Sequence, residues 1–297
     1  MESRARIPLT EEEFSGLVKA REVLVEALSA EERIAVVWEN YVDYEAVLLR
    51  GAVEDQVFSY TSWSEFSTRI HQVNRSLVNL LSSCRGYIDQ AKHSISGFFG
   101  RGSPEFKSVR EWFREQHASL LGYRVMEALR NHAQHRGMAV HKLSSQHWWN
   151  SSRTVARTAL IPFIRPAILR EDSKFNVAVI EELEAGGESV DLRPLVKQYV
   201  AGISIVHGSI RSMLEDQVQE ADRTFQDAVA RYRTQEDETV GLAAFRRDPQ
   251  GVTVERVAIL EDLMSKREVL ETRQRIHRNL WMHFVTNEPK TTDANGG

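Results

Sequence analysis

A mainly α protein is predicted by three features of this chain. Apolar residues recur at spacings of three and four over long stretches, the signature of helices that bury one face. Ser or Thr stands three residues ahead of Glu where two such stretches begin, the pattern of a capping box. Only 7 prolines and 16 glycines interrupt 297 residues, too few for a loop-rich chain. A small β element near 153–169 is the main departure expected from that class.

Taken in order, Thr10-Glu11-Glu12-Glu13 and Ser29-Ala30-Glu31-Glu32 each read as capping boxes. They predict one helix to about Leu28 and a second to about Arg50, ending before Gly51. Residues 51–62 read as a connection. A long helix starts at Ser62 to Ser64. Its stripe is Ile70, Val73, Leu77, Leu80, Leu81, Cys84, Ile88 and Ala91, one buried face over roughly six turns. Gly97, Gly100 and Gly102 are expected to end it. Ser103-Pro104 is an N-cap followed by proline at the first helical position, where the missing N–H costs nothing. The helical pattern then runs towards Gln134, with a break near His117 to Ser119, and Gly137 is a natural stop.

Val155, Thr158, Leu160, Ile161, Phe163 and Ile164 form a β-rich run with Pro162 inside it. Proline confines such a run to a sheet edge or a bend, so one or two short strands are expected. Helical pattern returns at about 174–185, stops at Gly186-Gly187, and resumes from Asp191 to about Arg233. A packed, hydrogen-bonded His207 is expected on that helix. A strand-like run from Val240 to Phe245 and a turn from Asp248 to Gly251 precede a last helix at about 253–284. The polar tail from Lys290 to Gly297 is expected to be disordered. The chain thus divides into an N-terminal helical extension (1–62), a helical core with a β insert (63–234) and a C-terminal extension (235–297).

Apolar content of 42% and charged content of 27% are those of an ordinary globular chain. The one cysteine, Cys84, excludes an internal disulfide framework and fits a reducing cytoplasm. It lies on the apolar stripe, where a thiol is inert. Glu11, Glu12 and Glu13 with no apolar stretch beside them predict no secretory signal. No window approaches ~18 uninterrupted apolar residues, so no membrane span is expected. No Gly-rich phosphate loop, dinucleotide fingerprint or hydrolase elbow occurs.

Charge is distributed unevenly. Between Arg124 and Arg170 stand eight basic residues (Arg124, Arg130, Arg136, Lys142, Arg153, Arg157, Arg165, Arg170) and one acid, Glu127, in a chain whose net charge is −4. His132, His135, His141 and His147 fall in the same stretch. Such an island meets phosphate-bearing ligands and supports acid–base chemistry near neutral pH. At its centre is Arg130-Asn131-His132-Ala133-Gln134-His135-Arg136-Gly137. The Arg-to-His spacing alone is common, since Arg136 to His141 and Arg278 to His283 repeat it. The context is less common: an amide follows Arg130, and the pair ends a helix inside the basic island.

Tyr123, Met126, Leu129-Arg130-Asn131, Gln134-His135-Arg136-Gly137 and Val140 resemble the motif-bearing segment of HEPN domains, all-helical domains of many prokaryotic toxin and phage-defence proteins. Upstream, Asn74-Arg75, Leu77, Asn79-Leu80-Leu81 and Tyr87-Ile88-Asp89 resemble the long first helix of an uncharacterised branch of that family. The resemblance covers about residues 65–215. It implies an antiparallel helical bundle, a homodimer with two motifs facing across a cleft, and a metal-independent endoribonuclease without cofactor. It further implies an RNA substrate, a toxin or abortive-infection role, and an antitoxin protein as a possible partner. The family pattern, arginine, a polar residue, then histidine after four to six positions, is met by Arg130, Asn131 and His135. The acidic overall charge and the β piece after the motif depart from the minimal domain.

The chemistry stands without the family. Cutting RNA without a metal needs a base for the 2′-hydroxyl and a cation for the charge growing on the non-bridging oxygens. Histidine, with a pKa of about 6.5, suits the first task, and arginine's permanent charge the second. His132, Gln134, Arg136, His141 and Lys142 are the candidates for holding substrate. Five residues apart on a helix, Arg130 and His135 stand roughly 140° apart, so they do not share a face. Arginine's length or a second subunit would close that gap. The competing reading is a helix end decorated with solvated cations. A non-catalytic module that binds nucleotide, RNA or protein, and a helical scaffold, also remain open. Metal ligation by His132 and His135, which share a face, finds no support in a neighbouring Cys or carboxylate pair. Trp148-Trp149 beside His147 suits either base stacking or an interface.

Overall fold

The computed structural model describes residues 5–59, 62–151, 153–274 and 278–286, so the tail from Lys290 to Gly297 lies outside it. Within the described residues the chain is mainly helical, with eight α-helices and two small antiparallel sheets. None of the helices is long and apolar enough to cross a membrane.

The first helix, α1 (Glu11–Val57), is a single rod of 47 residues. Thr10 opens it with both halves of a capping box: Thr10 Oγ1 accepts from the Glu13 N–H at 3.1 Å, and the Glu13 carboxylate accepts from the Thr10 N–H at 2.6 Å. The expected second start at Ser29 is overturned. Ser29 stays inside α1, where its carbonyl accepts from the Arg33 Nε–H. Leu24, Ala27, Leu28, Glu31, Ile34 and Val37 continue one buried face through that point, and a break would forfeit it. A local capping signal of about 1 kcal/mol cannot compete with a face that buries several apolar side chains. The rod also passes Gly51, where a stop was expected. There the Leu160 side chain lies so close that a Cβ would collide with it.

The expected long helix is α2 (Trp63–Phe99), opened by Ser62 and Glu65 as a second full capping box. Val73, Leu77, Leu80, Leu81, Cys84, Ile88 and Ala91 are buried as the spacing predicts, with Ile70 at the margin. Burial pushes the Cys84 thiol far up from its ordinary value, consistent with an inert group. Gly97 does not end the helix. Gly100 does, at φ 89°, in a region glycine enters freely. Next come α3 (Pro104–Ser119) and α4 (Leu121–His135), separated at Leu120. Close packing of α4 on α7 (Leu192–Arg233) passes through Gly122, whose N–H donates to Gln198 Oε1 at 2.8 Å.

The β element is larger than expected and starts earlier. β1 (Lys142–Trp149) pairs antiparallel with β2 (Ala156–Ile164), and β3 (Val190–Asp191) adds two residues on the far side. Pro162 lies within β2, the middle strand. It pairs with Leu143 on β1, but β3 covers only Phe163 and Ile164, so the proline sits where β2 is paired on one side. After α5 (Pro166–Arg170) and α6 (Val177–Glu184), the Asp191 carboxylate accepts from the Arg193 N–H at 2.9 Å and starts α7 where expected.

The last helix is shorter than expected. Residues 253–258 are not helical but form β5 (Thr253–Ala258), hairpinned to β4 (Ala243–Arg247), and only α8 (Glu261–Arg273) is an α-helix. The reason is the turn. The Asp248 carboxylate accepts from the N–H groups of Gln250 and Val252, and Gly251 takes φ 83°, which folds the following chain back as a strand.

Two apolar clusters result. The larger joins the second half of α1 to α2, α3, α4, the β1–β2 sheet and the first half of α7. The smaller packs Phe14, Leu17 and Leu24 of α1 against Phe225 and Val229 of α7 and Ala244 and Val257 of the hairpin. Between these stretches of α1 stands buried Glu31. It takes a hydrogen bond with His207 Nε2 at 3.1 Å and two from Arg211, at 2.9 and 2.6 Å, while Tyr87 meets His207 Nδ1 at 2.9 Å. His207 is therefore a packed, doubly hydrogen-bonded histidine, as the sequence leads one to expect.

Candidate functional site

The last turns of α4 carry Arg130, Asn131, His132, Gln134 and His135. The helix closes on the His132 carbonyl, which accepts from the N–H groups of both Arg136, at 2.8 Å, and Gly137, at 3.3 Å. Gly137 does not take the left-handed conformation of a usual glycine stop. Its role is room: a Cβ there would stand 3.3 Å from His132 Nε2.

His132 points inward. Its Nδ1 meets Asp172 Oδ2 at 2.9 Å, with both side chains only 6% exposed. Asp172 Oδ1 accepts from the Lys174 N–H at 3.0 Å and lies 3.7 Å from Arg136 Nε. The His132 hydrogen bond first, and the Lys174 N–H second, hold the Asp172 carboxyl below the usual carboxylate range. The pair bolts the end of α4 to the loop between α5 and α6. His141 stands edge-on to His132, ring centroids 6.2 Å apart, and Phe175 at the same distance. The Arg165 N–H donates to His141 Nδ1 at 3.1 Å, which leaves the proton of the neutral ring on Nε2. Among the described residues that Nε2 is buried without a hydrogen-bond partner. Burial first, and the neighbouring His132 second, push the His141 pKa down to about 4.

His141 therefore stays neutral through the physiological range, and it carries a pH dependence. Its folded-state value lies below its unfolded one of about 6.5, so the unfolded chain binds the proton first as pH falls. Stability from this residue is complete above about pH 6.5 and is lost down to its folded value of about 4. A His141→Gln variant is expected to show a flatter melting temperature across that window than wild type. Parallel curves for the two proteins would refute the assignment.

The remaining candidates face outward. His135, Gln134, Arg136 and Lys142 are exposed. Among the described residues no hydrogen bond, ion pair or ring contact orients the His135 imidazole. Lys142 rests its ammonium 5.6 Å from the Phe163 ring centroid. Arg130 is half-buried. Its Nη1 donates to Asn131 Oδ1 at 3.2 Å, and its Nε is buried without a partner. Among the described residues no carboxylate pairs with it. Comparably buried arginines are treated otherwise: Arg69 has Asp55, Arg124 has Glu182, Arg211 has Glu31 and Arg267 has Asp222, all at 2.5 to 2.6 Å.

Asp172 was not foreseeable as part of this cluster. It follows the basic island, 40 residues from its partner, and no local spacing ties the two together. Among the described residues no group of three or more His, Cys, Asp or Glu is arranged to hold a metal ion. A cleft of about 420 Å³ between α1 and α2, lined by Arg50, Glu54, Arg69 and Arg75, contains none of the expected site residues. No protein-family model, no curated protein and no solved structure matches the chain.

Proposed function

We propose that the chain is a metal-independent endoribonuclease of the HEPN kind, acting at the end of α4 as a toxin or phage-defence effector. The observation that carries this reading is Arg130, a half-buried guanidinium with no counter-carboxylate among the described residues, whereas Arg69, Arg124, Arg211 and Arg267 each have one. A desolvated cation with open donors suits a phosphate. Arg136 and Lys142 extend the positive surface on either side.

In this reading His135 takes the proton of a 2′-hydroxyl. The 2′-oxygen attacks phosphorus, the bond to the 5′-oxygen breaks, that oxygen takes a proton from water, and His135 returns its proton to solvent. Arg130 stabilises the charge on the non-bridging oxygens. The products are a 2′,3′-cyclic phosphate and a 5′-hydroxyl. His132 and Asp172 touch no substrate and hold the helix end in place. Arg130 and His135 stand roughly 140° apart, a gap that arginine's length closes in part and that a second subunit facing the first would close in full. Light scattering is then expected at twice the chain mass of 34.0 kDa.

The test is cleavage of RNA in EDTA by wild type, Arg130→Ala and His135→Ala. Each substitution is expected to lower kcat by about 100-fold or more. Melting of the His135 variant should be unchanged, because that side chain is exposed. Undiminished cleavage by His135→Ala, or complete loss of activity in EDTA, would sink the assignment. A second reading, a non-catalytic module that binds RNA, is favoured by the missing orienting partner of His135, since catalytic bases are held by a third group. It predicts no turnover in any protein and weakened binding in Arg130→Ala.

A further inference from the structure

The β1–β2 hairpin grows out of the same basic surface and leaves the core. Leu143 near its base is buried, but Ser145 through Trp149 are all exposed. Trp148 and Trp149 are 45% and 61% exposed, a costly display for a side chain that would otherwise bury a large apolar area. Register places Trp148 opposite Arg157 and Lys142 opposite Phe163, so these four share one face of the ribbon. Trp149 lies on the other face with His147, which is occupied by hydrogen bonds with Thr158 and Ser145 at 3.0 and 3.2 Å.

The turn is built firmly. Asn150 Oδ1 accepts from the N–H groups of Thr154 and Val155 at 2.8 and 3.1 Å, and the Asn150 N–H donates to the Val155 carbonyl at 2.9 Å. Within it Arg153 takes φ 54°, the one non-glycine residue at positive φ among those described. Glycine would meet that conformation with less strain, yet an arginine stands there. From Ala128 to Arg170 the chain has no acid and seven arginines or lysines.

We propose that this hairpin is an arm for single-stranded RNA, with a base stacked on Trp148 and backbone phosphates on Lys142 and Arg153. The ligand class rests on the RNA reading above. An exposed indole offers a flat face that unpaired bases can use and a duplex cannot. The surrounding cations select a polyanion. A second copy of this chain would bring the same positive surface against itself. From Lys142 to Trp149 the strand spans ~24 Å, so the arm engages several nucleotides beyond the scissile one.

The experiment measures binding of labelled polyuridylate by anisotropy at several salt concentrations, alongside turnover of polyuridylate and of a uridine dinucleotide too short to reach the hairpin. Trp148→Ala is expected to weaken binding by about 5- to 100-fold, the loss of one stacked base, and Trp149→Ala by less. Arg153→Gly is expected to melt at or above the wild-type temperature while binding more weakly, with a salt slope smaller by ~0.7. A purely structural role would move both quantities the same way. Unchanged affinity in Trp148→Ala and Arg153→Gly overturns the arm. So does equal affinity for polyglutamate, or a dimer that Trp148→Ala splits. If binding falls in these variants while no protein cleaves RNA, the arm stands and the cleavage reading fails. If both substrates are cut equally by wild type and Trp148→Ala, cleavage stands and the arm fails.

Discussion

A Gly122→Ala variant is expected to lose about 3 kcal/mol of stability or more, although alanine is the better helix former. The propensity gain is at most about 1 kcal/mol. Against it, the added Cβ would overlap the Leu195 carbonyl oxygen and stand 2.7 Å from Gln198 Cβ and 2.8 Å from Leu195 Cα. These neighbours are backbone or directly attached to it, so no side chain can rotate away. α4 and α7 must move apart, which loosens Tyr123 against Tyr199, packed edge-on at 4.8 Å. Urea melts compared at equal slope measure the loss. A variant as stable as wild type would mean that α4 and α7 are not in van der Waals contact at this point. α4 also carries Arg130 and His135, so under the proposed ribonuclease reading any surviving variant should cleave RNA more slowly than its folded fraction accounts for.

The second large effect is at Glu31. Glu31→Ala is expected to cost about 3–5 kcal/mol, because it strands His207 and Arg211 beside an interior that cannot solvate them. Glu31→Gln keeps the shape and one acceptor and should cost less. Burial pushes the Glu31 carboxyl up, but the hydrogen bonds from His207 and Arg211 outweigh it and leave it below its ordinary value. The group thus contributes stability above its unfolded pKa of about 4.3 and loses it as pH falls through the lower folded value. Thermal melts from pH 7 downward should show Glu31→Gln converging on wild type at the acid end. A constant gap at every pH would contradict the charge argument.

What could be read from the residues alone follows the range of the forces involved. The α2 stripe and the caps at Thr10, Ser62 and Ser103 rest on contacts within four residues, and each lies where its spacing places it. Ser29 misleads for the same reason. Its capping box is a sound local signal, overruled by an apolar face whose partner, α7, begins more than 150 residues later. β1 has no apolar alternation of its own. Its strand character comes from pairing with β2, whose β-branched run is legible. Residues 253–258 form a strand only because Asp248 and Gly251 turn the chain. In the site, Arg130 and His135 share a helix end and can be found by inspection. That His132 is braced and His141 enclosed depends on Asp172 and Arg165, which sequence distance hides.

The shared use of α1 and α7 by both apolar clusters has a consequence for synthesis. Arg211 and Arg231 lie 180 and 218 residues beyond their partners Glu31 and Glu13. A ribosome adding ~5–20 residues per second needs on the order of 10–40 s to pass from the first helix to its mate. Throughout that interval the second half of α1 can pack on α2, but Phe14, Leu17 and Leu24 lack the α7 and hairpin residues that cover them in the finished chain. The nascent N-terminal rod is therefore the natural client of a chaperone on the ribosome, and the stretch whose apolar face most exposes this chain to aggregation before it is complete.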